Sequence, residues 1–382
     1  MVPKGWTLLQ VSDICKLQNG NSFKPHEWDT QGLPIIRIQN LNGSDNYNYF
    51  SGVPQDKWLV EPGQLLFSWA GTKGVSFGPF IWNGPKGVLN QHIYKVFANE
   101  NVHGHWLYLA LLHITQKIEA QAHGFKSTLL HVQKKDIDNQ FVLTPPVAEQ
   151  KKIAQILSTW DNAISVTEKL LTNSQLQKKA LMQKLLTGKK RLLDENGVRF
   201  SGEWRNSTLS MFCNIAKGKA LSASDLEVGD FPVIAGGKSS PYSHSDYTHE
   251  NVVTVSASGA YAGYISYHNY KIWASDCSVV SAKADNLIDY FYQLLLSLQD
   301  KIYSLQSGGA QPHIYPKDLN SIPLWVPCVK EQQKIAAVLS AADAEISTLE
   351  KKLACLRDEK KALMQQLLTG KRRVKVDEAV AE

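Results

Sequence analysis

The chain has 382 residues, with 41 lysines and arginines against 35 aspartates and glutamates, a net charge of +6. That length is enough for two or three domains, and a hydrophobic fraction of 43% with 10 Trp and 14 Tyr excludes a disordered chain. No apolar run approaches the ~18 residues of a membrane span, residues 1–6 lack the apolar segment of a secretory signal, and five cysteines without a C-x-x-C pair fit a reducing cytoplasm and disfavour a zinc site.

Residues 1–144 read as a mixed α and β domain. The stretch 33–39 has the apolar run of a strand and 106–119 the spacing of a helix, with turn-rich segments such as 40–43 between them. At Pro145 and Pro146 the pattern changes to a long helix, because proline is tolerated in a first turn, and Gly188 followed by a basic cluster ends it. Along 145–191 the positions Ile153, Leu157, Trp160, Ile164, Thr167, Leu171, Ser174, Lys178, Leu181 and Leu185 step by alternating four and three. Residues 192–326 read as a second mixed domain, with a strand at 251–256, a helix at 287–302 and turns at 235–241. A second long helix follows over 327–373, with Ile335, Leu339, Ala342, Ile346, Leu349, Leu353, Leu356, Lys360, Leu363 and Leu367 in the same steps, and 374–382 is a tail. Heptad steps sustained over more than four heptads predict a coiled coil rather than two separate surface helices.

The second half repeats the first. Glu149-Gln150-Lys151-Lys152-Ile153-Ala154 recurs 182 positions later as Glu331-Gln332-Gln333-Lys334-Ile335-Ala336, and Leu185-Leu186-Thr187-Gly188-Lys189 as Leu367-Leu368-Thr369-Gly370-Lys371. Trp6, Cys15, Gly20 and Pro34 match Trp204, Cys213, Gly218 and Pro232 at an offset of 198; Ser68 matches Ser256 at 188, Tyr108 matches Tyr292 at 184, and His131 matches His313 at 182. The expected fold is α+β: two tandem mixed α/β domains joined by two long antiparallel coiled-coil helices, with an internal pseudo-twofold repeat. Helices of about 40 residues make a spacer of roughly 60 Å.

Signatures of catalysis fail one by one. Gly237-Lys238-Ser239 lacks the upstream glycine of a phosphate loop, Pro232 standing in its place, and 259–263 lacks the dinucleotide spacing. Thr144-Pro145-Pro146-Val147 has neither the amide nor the aromatic of an amino-methyltransferase loop and is better explained as a helix entry; His26-Glu27 and His249-Glu250 do not extend to H-E-x-x-H. A binding role, with no catalytic, cofactor or metal residues in this chain, is the expectation. What remains are loops carrying groups that read base edges: Arg37, Gln39, Asn40, Trp69, Thr72, Lys73, Gln91, His92, Lys126 and Ser127 in the first domain, and Lys217, Lys219, Lys238, Ser239, Ser258, Tyr261, Asp276, Gln311 and His313 in the second. Because the two sets differ on a shared frame, they predict two different short targets.

Taken together, the 146–154 segment with its repeat, the two Leu-Leu-Thr-Gly-Lys helix ends, Phe200-Ser201-Gly202-Glu203-Trp204 and the 36–41 and 63–68 stretches make the chain resemble the specificity (S) subunit of a type I restriction-modification enzyme. The resemblance covers essentially the full length. It implies a non-catalytic, cytoplasmic reader: each target-recognition domain binds half of an asymmetric bipartite site in double-stranded DNA, and the helices act as a ruler. They also dock two methyltransferase (M) subunits that carry S-adenosylmethionine, and the assembly recruits restriction (R) subunits that use ATP and magnesium. A coiled-coil adaptor for proteins is the rival reading; a fused restriction-methylation enzyme has no room in 382 residues.

Charge is unevenly placed. The helical segments 145–191 and 327–373 carry 9 basic against 3 acidic and 10 against 6 residues, whereas 1–144 has 12 against 10 and 192–326 has 9 against 13. The domains expected to read DNA are thus nearly neutral or acidic, and should hold it weakly alone.

Overall fold

The computed structural model describes residues 2–121, 128–238, 240–309 and 311–376. Two compact units emerge, one formed by Met1–Val166 with Leu353–Glu382 and the other by Thr167–Lys352. Each unit therefore takes its recognition-domain strands from one repeat and completes its core with part of both long helices. No helix is long and apolar enough to cross a membrane among the described residues.

In the first unit, strands Thr7–Gln10 and Phe141–Thr144 pair as an antiparallel ribbon that brings the ends of the domain together. A four-stranded antiparallel sheet runs in the order Cys15–Asn19, Ile93–Ala98, Leu65–Ser68, Gly78–Ile81. A second sheet, in the order Asn48–Phe50, Leu33–Ile36, Gly87–Leu89, Leu59–Val60, has one parallel pair at its centre. The helix Gly104–Gln121 lies against strand Gly78–Ile81. Gly78 permits that approach: it sits at φ +115°, and a Cβ there would lie 2.9 Å from Thr115 Cγ2.

The second unit repeats this plan. Ribbon Arg205–Thr208 with Pro323–Val326 closes it, and the main sheet runs Cys213–Lys217, Cys277–Ala282, Val252–Ser256, Ile265–His268. Every residue of Val252–Ser256 is buried, so this strand shows no alternation. A smaller sheet orders Ser243–His244, Phe231–Ile234 and Trp273–Ala274, again with a parallel pair. The helix expected over 287–302 is instead two, Ile288–Ser297 and Gln299–Tyr303, because Leu298 leaves helical geometry at ψ 13° and Ser297 Oγ donates to Leu294 O. The strand expected over 33–39 stops at Ile36, after which Ile38–Leu41 turns helically.

The long helices are Val147–Leu185 and Val329–Leu368. Each begins directly after the proline segment and is followed by a glycine in the left-handed region, Gly188 at φ +70° and Gly370 at φ +67°. None of the twenty seam positions named above is exposed. In the first unit Ile153 and Leu157 share a core with Met364 and Leu367; in the second, Leu185 shares one with Ile335 and Leu339. Direction follows from side-chain pairs: within the second unit Ser174 meets Glu345 and Lys178 meets Asp343, so one number rises while the other falls. The two seam lysines are the clearest case of matched pairing. Lys178 Nζ bonds Asp343 at 2.5 Å, and in the first unit Lys360 Nζ bonds Asp161. Both partners are offset by the same 182 positions, so each repeat supplies the cation for the other's carboxylate.

A second matched device closes each unit. Glu149 accepts from Trp6 Nε1 at 3.1 Å and from Arg373 at 2.5 and 3.1 Å. Glu331 accepts from Trp204 Nε1 at 3.3 Å and from Arg191 at 2.6 and 2.7 Å. In both, the guanidinium also lies 5.6 Å from the indole centroid. The neighbouring glutamines are equally matched: Gln150 joins His103 N to Pro145 O, and Gln332 joins Leu287 N to Pro327 O. The repeated Glu-Gln dipeptide is thus the joint between each long helix and its domain, buried and fully bonded.

Candidate nucleic-acid interface

In the first unit three segments distant in sequence converge, because strand Ile93–Ala98 lies beside Leu65–Ser68, and Leu129–His131 pairs with Ala70–Thr72. Trp69 is the hub. Its Nε1 donates to Gln91 O at 3.1 Å, and its ring lies 4.6 Å from His131, 5.1 Å from His92 and 6.0 Å from Tyr94. Gln91 Nε2 and His92 Nε2 are 3.2 Å apart. Burial, with His131 nearby, pulls the His92 imidazole below its usual pKa, which favours a neutral ring that can both donate and accept. Trp69, Gln91 and His92 therefore form one locus. His131 belongs to it although only His313, its match at 182, was singled out from sequence; the repeat itself carried that signal.

Other expected readers in this unit have different work. Asn40 is buried, Oδ1 accepts from Arg37 N at 2.9 Å, and Nδ2 donates to Ser44 O and Asn46 O, so the amide staples its own loop. Gln39 Nε2 likewise donates to Asn46 O at 2.9 Å. Arg37 lies 5.5 Å from the Trp28 ring. Lys73 Nζ donates to Glu119 O at 2.5 Å, in the last turn of the helix Gly104–Gln121, where a cation offsets the helix dipole. Thr72 is exposed, its N–H bonded to Ser76 Oγ. Lys126 and Ser127, like Ser239 of the second domain, lie outside the described residues.

The equivalent locus in the second unit is built from other chemistry. Ser258 Oγ donates to Asp276 Oδ2, and Gly236 lies so close that a Cβ on it would be 3.1 Å from Ser258 O and 3.3 Å from Asp276 Oδ2. Lys238 Nζ stands 5.3 Å from the Tyr261 ring and 5.4 Å from Tyr264, which sequence reasoning missed. His313 bridges to Ser258 through the backbone and stacks on Tyr315 at 6.0 Å. Beside this locus a cleft of about 430 Å³ is lined by Lys238, Tyr264, Tyr267, His268, Tyr270 and Tyr292. Lys219 covers Trp273 at 5.0 Å, while Lys217 at its strand end and Gln311 are exposed. Trp69 N donates to His92 O as Ala257 N donates to Asp276 O, and Ile93 pairs with Ser68 as Cys277 pairs with Ser256, so Asp276 occupies the place of His92.

Burial pushes the thiols of Cys15, Cys213 and Cys277 up to about 12, which leaves them protonated and inert. Among the described residues no group of three or more His, Cys, Asp or Glu could hold a metal. What the two loci present is aromatic faces, amides, imidazoles, one carboxylate and one lysine, a set suited to reading polar edges of bases.

Comparison with known proteins agrees with this inventory. The profile of the type I restriction modification DNA specificity domain matches residues 3–174 and again 201–356. The chain is 27% identical to the putative type I restriction enzyme MjaX specificity subunit of Methanocaldococcus jannaschii over 98% of its length and 95% of that protein. It is 26% identical to the MjaVIII specificity subunit of the same organism, over 98% and 94%. In structure it resembles the type I restriction-modification S subunit from M. genitalium, with a TM-score of 0.67 at 19% identity over 96% of both chains. Two matched domains on a duplicated frame, full-length relatives and a shared fold together place the chain in the type I restriction-modification DNA specificity family.

Proposed function

We propose that this specificity subunit reads an asymmetric, bipartite sequence in double-stranded DNA, one half-site per recognition domain, with the paired long helices setting the unread gap. The observation that carries the reading is the contrast between matched frame and unmatched loci. Trp6/Glu149/Arg373 equals Trp204/Glu331/Arg191, yet Trp69 and His92, with Gln91 beside them, stand where the second unit has Ala257 and Asp276, with Ser258 beside them. A frame duplicated so closely, presenting different edge-reading groups, suits two different half-sites in one relative orientation.

In this reading the basic long helices dock two methyltransferase subunits, which bring S-adenosylmethionine and most phosphate contacts, and restriction subunits join with ATP and magnesium. The whole assembly works in the cytoplasm. The ruler is tested by inserting seven residues, one heptad, at equivalent points of both helices. That adds about 10 Å, or about three base pairs at a 3.4 Å rise. Genome-wide mapping of N6-methyladenine in cells expressing the variant with its methyltransferase subunit should show unchanged half-sites with a longer gap. Altered half-sites with an unaltered gap would sink the ruler.

A further inference from the structure

We infer that Asp276 is a specificity-determining residue of the second recognition domain, and that it accepts a hydrogen bond from the N4 amine of a cytosine in the major groove. The inference rests on the reading above and goes one step further, to a base.

A carboxylate is an odd group to find at a surface meant for a polyanion. It has acceptors only, and phosphates repel it, so it is favourable there only if DNA supplies a donor. In the major groove, cytosine offers its amine without the neighbouring N7 acceptor that adenine places beside its own. Asp276 fits this use in three ways. Its Oδ2 is held by Ser258 Oγ, so the carboxylate is fixed. Among the described residues it forms no salt bridge, and no donor bonds its Oδ1. The close Gly236 backbone flanks it, a wall without a side chain. In the first unit the same place holds His92 beside Gln91, which can donate as well as accept. The two loci are therefore built for different bases.

The bland account is that Asp276 only ties down the loop through Ser258. Asp276→Asn separates the two, because the amide oxygen still accepts from Ser258 while an N–H₂ replaces the free acceptor. The assay is DNA binding by the complex of the full chain with its methyltransferase subunits, against duplexes in which each cytosine of the second half-site is replaced in turn by thymine or by a 2-pyrimidinone analogue lacking the 4-amino group. At one position, either change should weaken wild-type binding by about 5- to 150-fold, as one mismatched pair does. With Asp276→Asn the same changes should cost less than about 2-fold, and the variant should favour adenine at that position. The inference falls if no cytosine of the half-site is sensitive to loss of its amine, a result that needs only the wild-type chain, or if Asp276→Asn discriminates as the wild type does. If the wild-type complex binds no bipartite sequence, it is the preceding proposal that fails.

Discussion

Glu331 is the most deeply buried carboxylate in either closing cluster, with its side chain 1% exposed, and Arg191 is its bidentate partner. Replacing Arg191 by Met keeps the length of the side chain but leaves that charge with a single donor, Trp204 Nε1 at 3.3 Å. Removing one member of a buried pair typically costs about 3–5 kcal/mol, and for a unit of this size each kcal/mol moves the midpoint by about 2–4 °C. The second unit should therefore melt about 6–20 °C lower. Arg373→Met, the equivalent change in the first unit, should cost clearly less, because Arg373 is 41% and Glu149 11% exposed and water takes over part of the lost interaction. Hydrogen exchange read by mass spectrometry can follow Val252–Ser256 for one unit and Leu65–Ser68 for the other. Adding Glu331→Gln to Arg191→Met should recover most of the loss, since it is the unpaired charge that destabilises. Equal losses for Arg191→Met and Arg373→Met, or no rescue by the second change, would show that the cluster does not act through its buried charge.

Deleting residues 353–376 should loosen the first recognition domain, hundreds of residues away in sequence: it removes Met364, Leu367 and Leu368 from that core, at about 1.5–3 kcal/mol each, as proteolysis within 1–144 would report. Burial pulls the His268 pKa down to about 4, so the unfolded chain binds a proton that the folded one refuses between pH 6.5 and about 4. The second unit should thus lose about 1.4 kcal/mol per pH unit over that window as pH falls, an acid sensitivity that His268→Gln removes in denaturant titrations. Lys178→Met should cost less than about 1 kcal/mol, because Asp343 keeps Gln293 Nε2 at 2.6 Å, and calorimetry should find the melting point nearly unchanged. The isolated chain should bind DNA weakly, and nanomolar, salt-insensitive binding in a titration would contradict the charge distribution.

The long helices were legible because their physics is local. Proline at the start, glycine at the end and heptad steps between need no partner to be recognised, and no seam position turned out exposed. The break at Leu298 was not legible, since both sides of it keep helical spacing. The Glu-Gln dipeptides were visible as repeats but mute about their role, because the partners of Glu149 and Glu331 lie 143, 224, 127 and 140 positions away. The loci were half legible. Trp69, Gln91 and His92 could be listed as polar or aromatic loop residues, but their convergence depends on a strand order that is not sequential, and the Asn40 amide looked free until its loop closed around it.

The matched devices differ in kind from the unmatched ones, and the difference explains how one frame can carry changing targets. Lys178 with Asp343, Lys360 with Asp161, Arg191 with Glu331 and Arg373 with Glu149 are charge pairs between residues that apolar side chains of similar volume could often replace without loss of stability. What apolar seams do not supply is register: a slip by one heptad along Ile, Leu and Ala leaves apolar against apolar, whereas it strands each lysine and each carboxylate. In each unit the cations come from the C-terminal part of one long helix and the segment that follows it, and the carboxylates from the other helix, so the pairs specify which residues meet and in which direction. The loci carry no such duty. Ser258–Asp276 and Gln91–His92 are bonded within their own loci, and neither shares a partner with the helix pairs. Substitutions there alter what the surface accepts or donates without disturbing the register, since residues with no common partner contribute nearly additively.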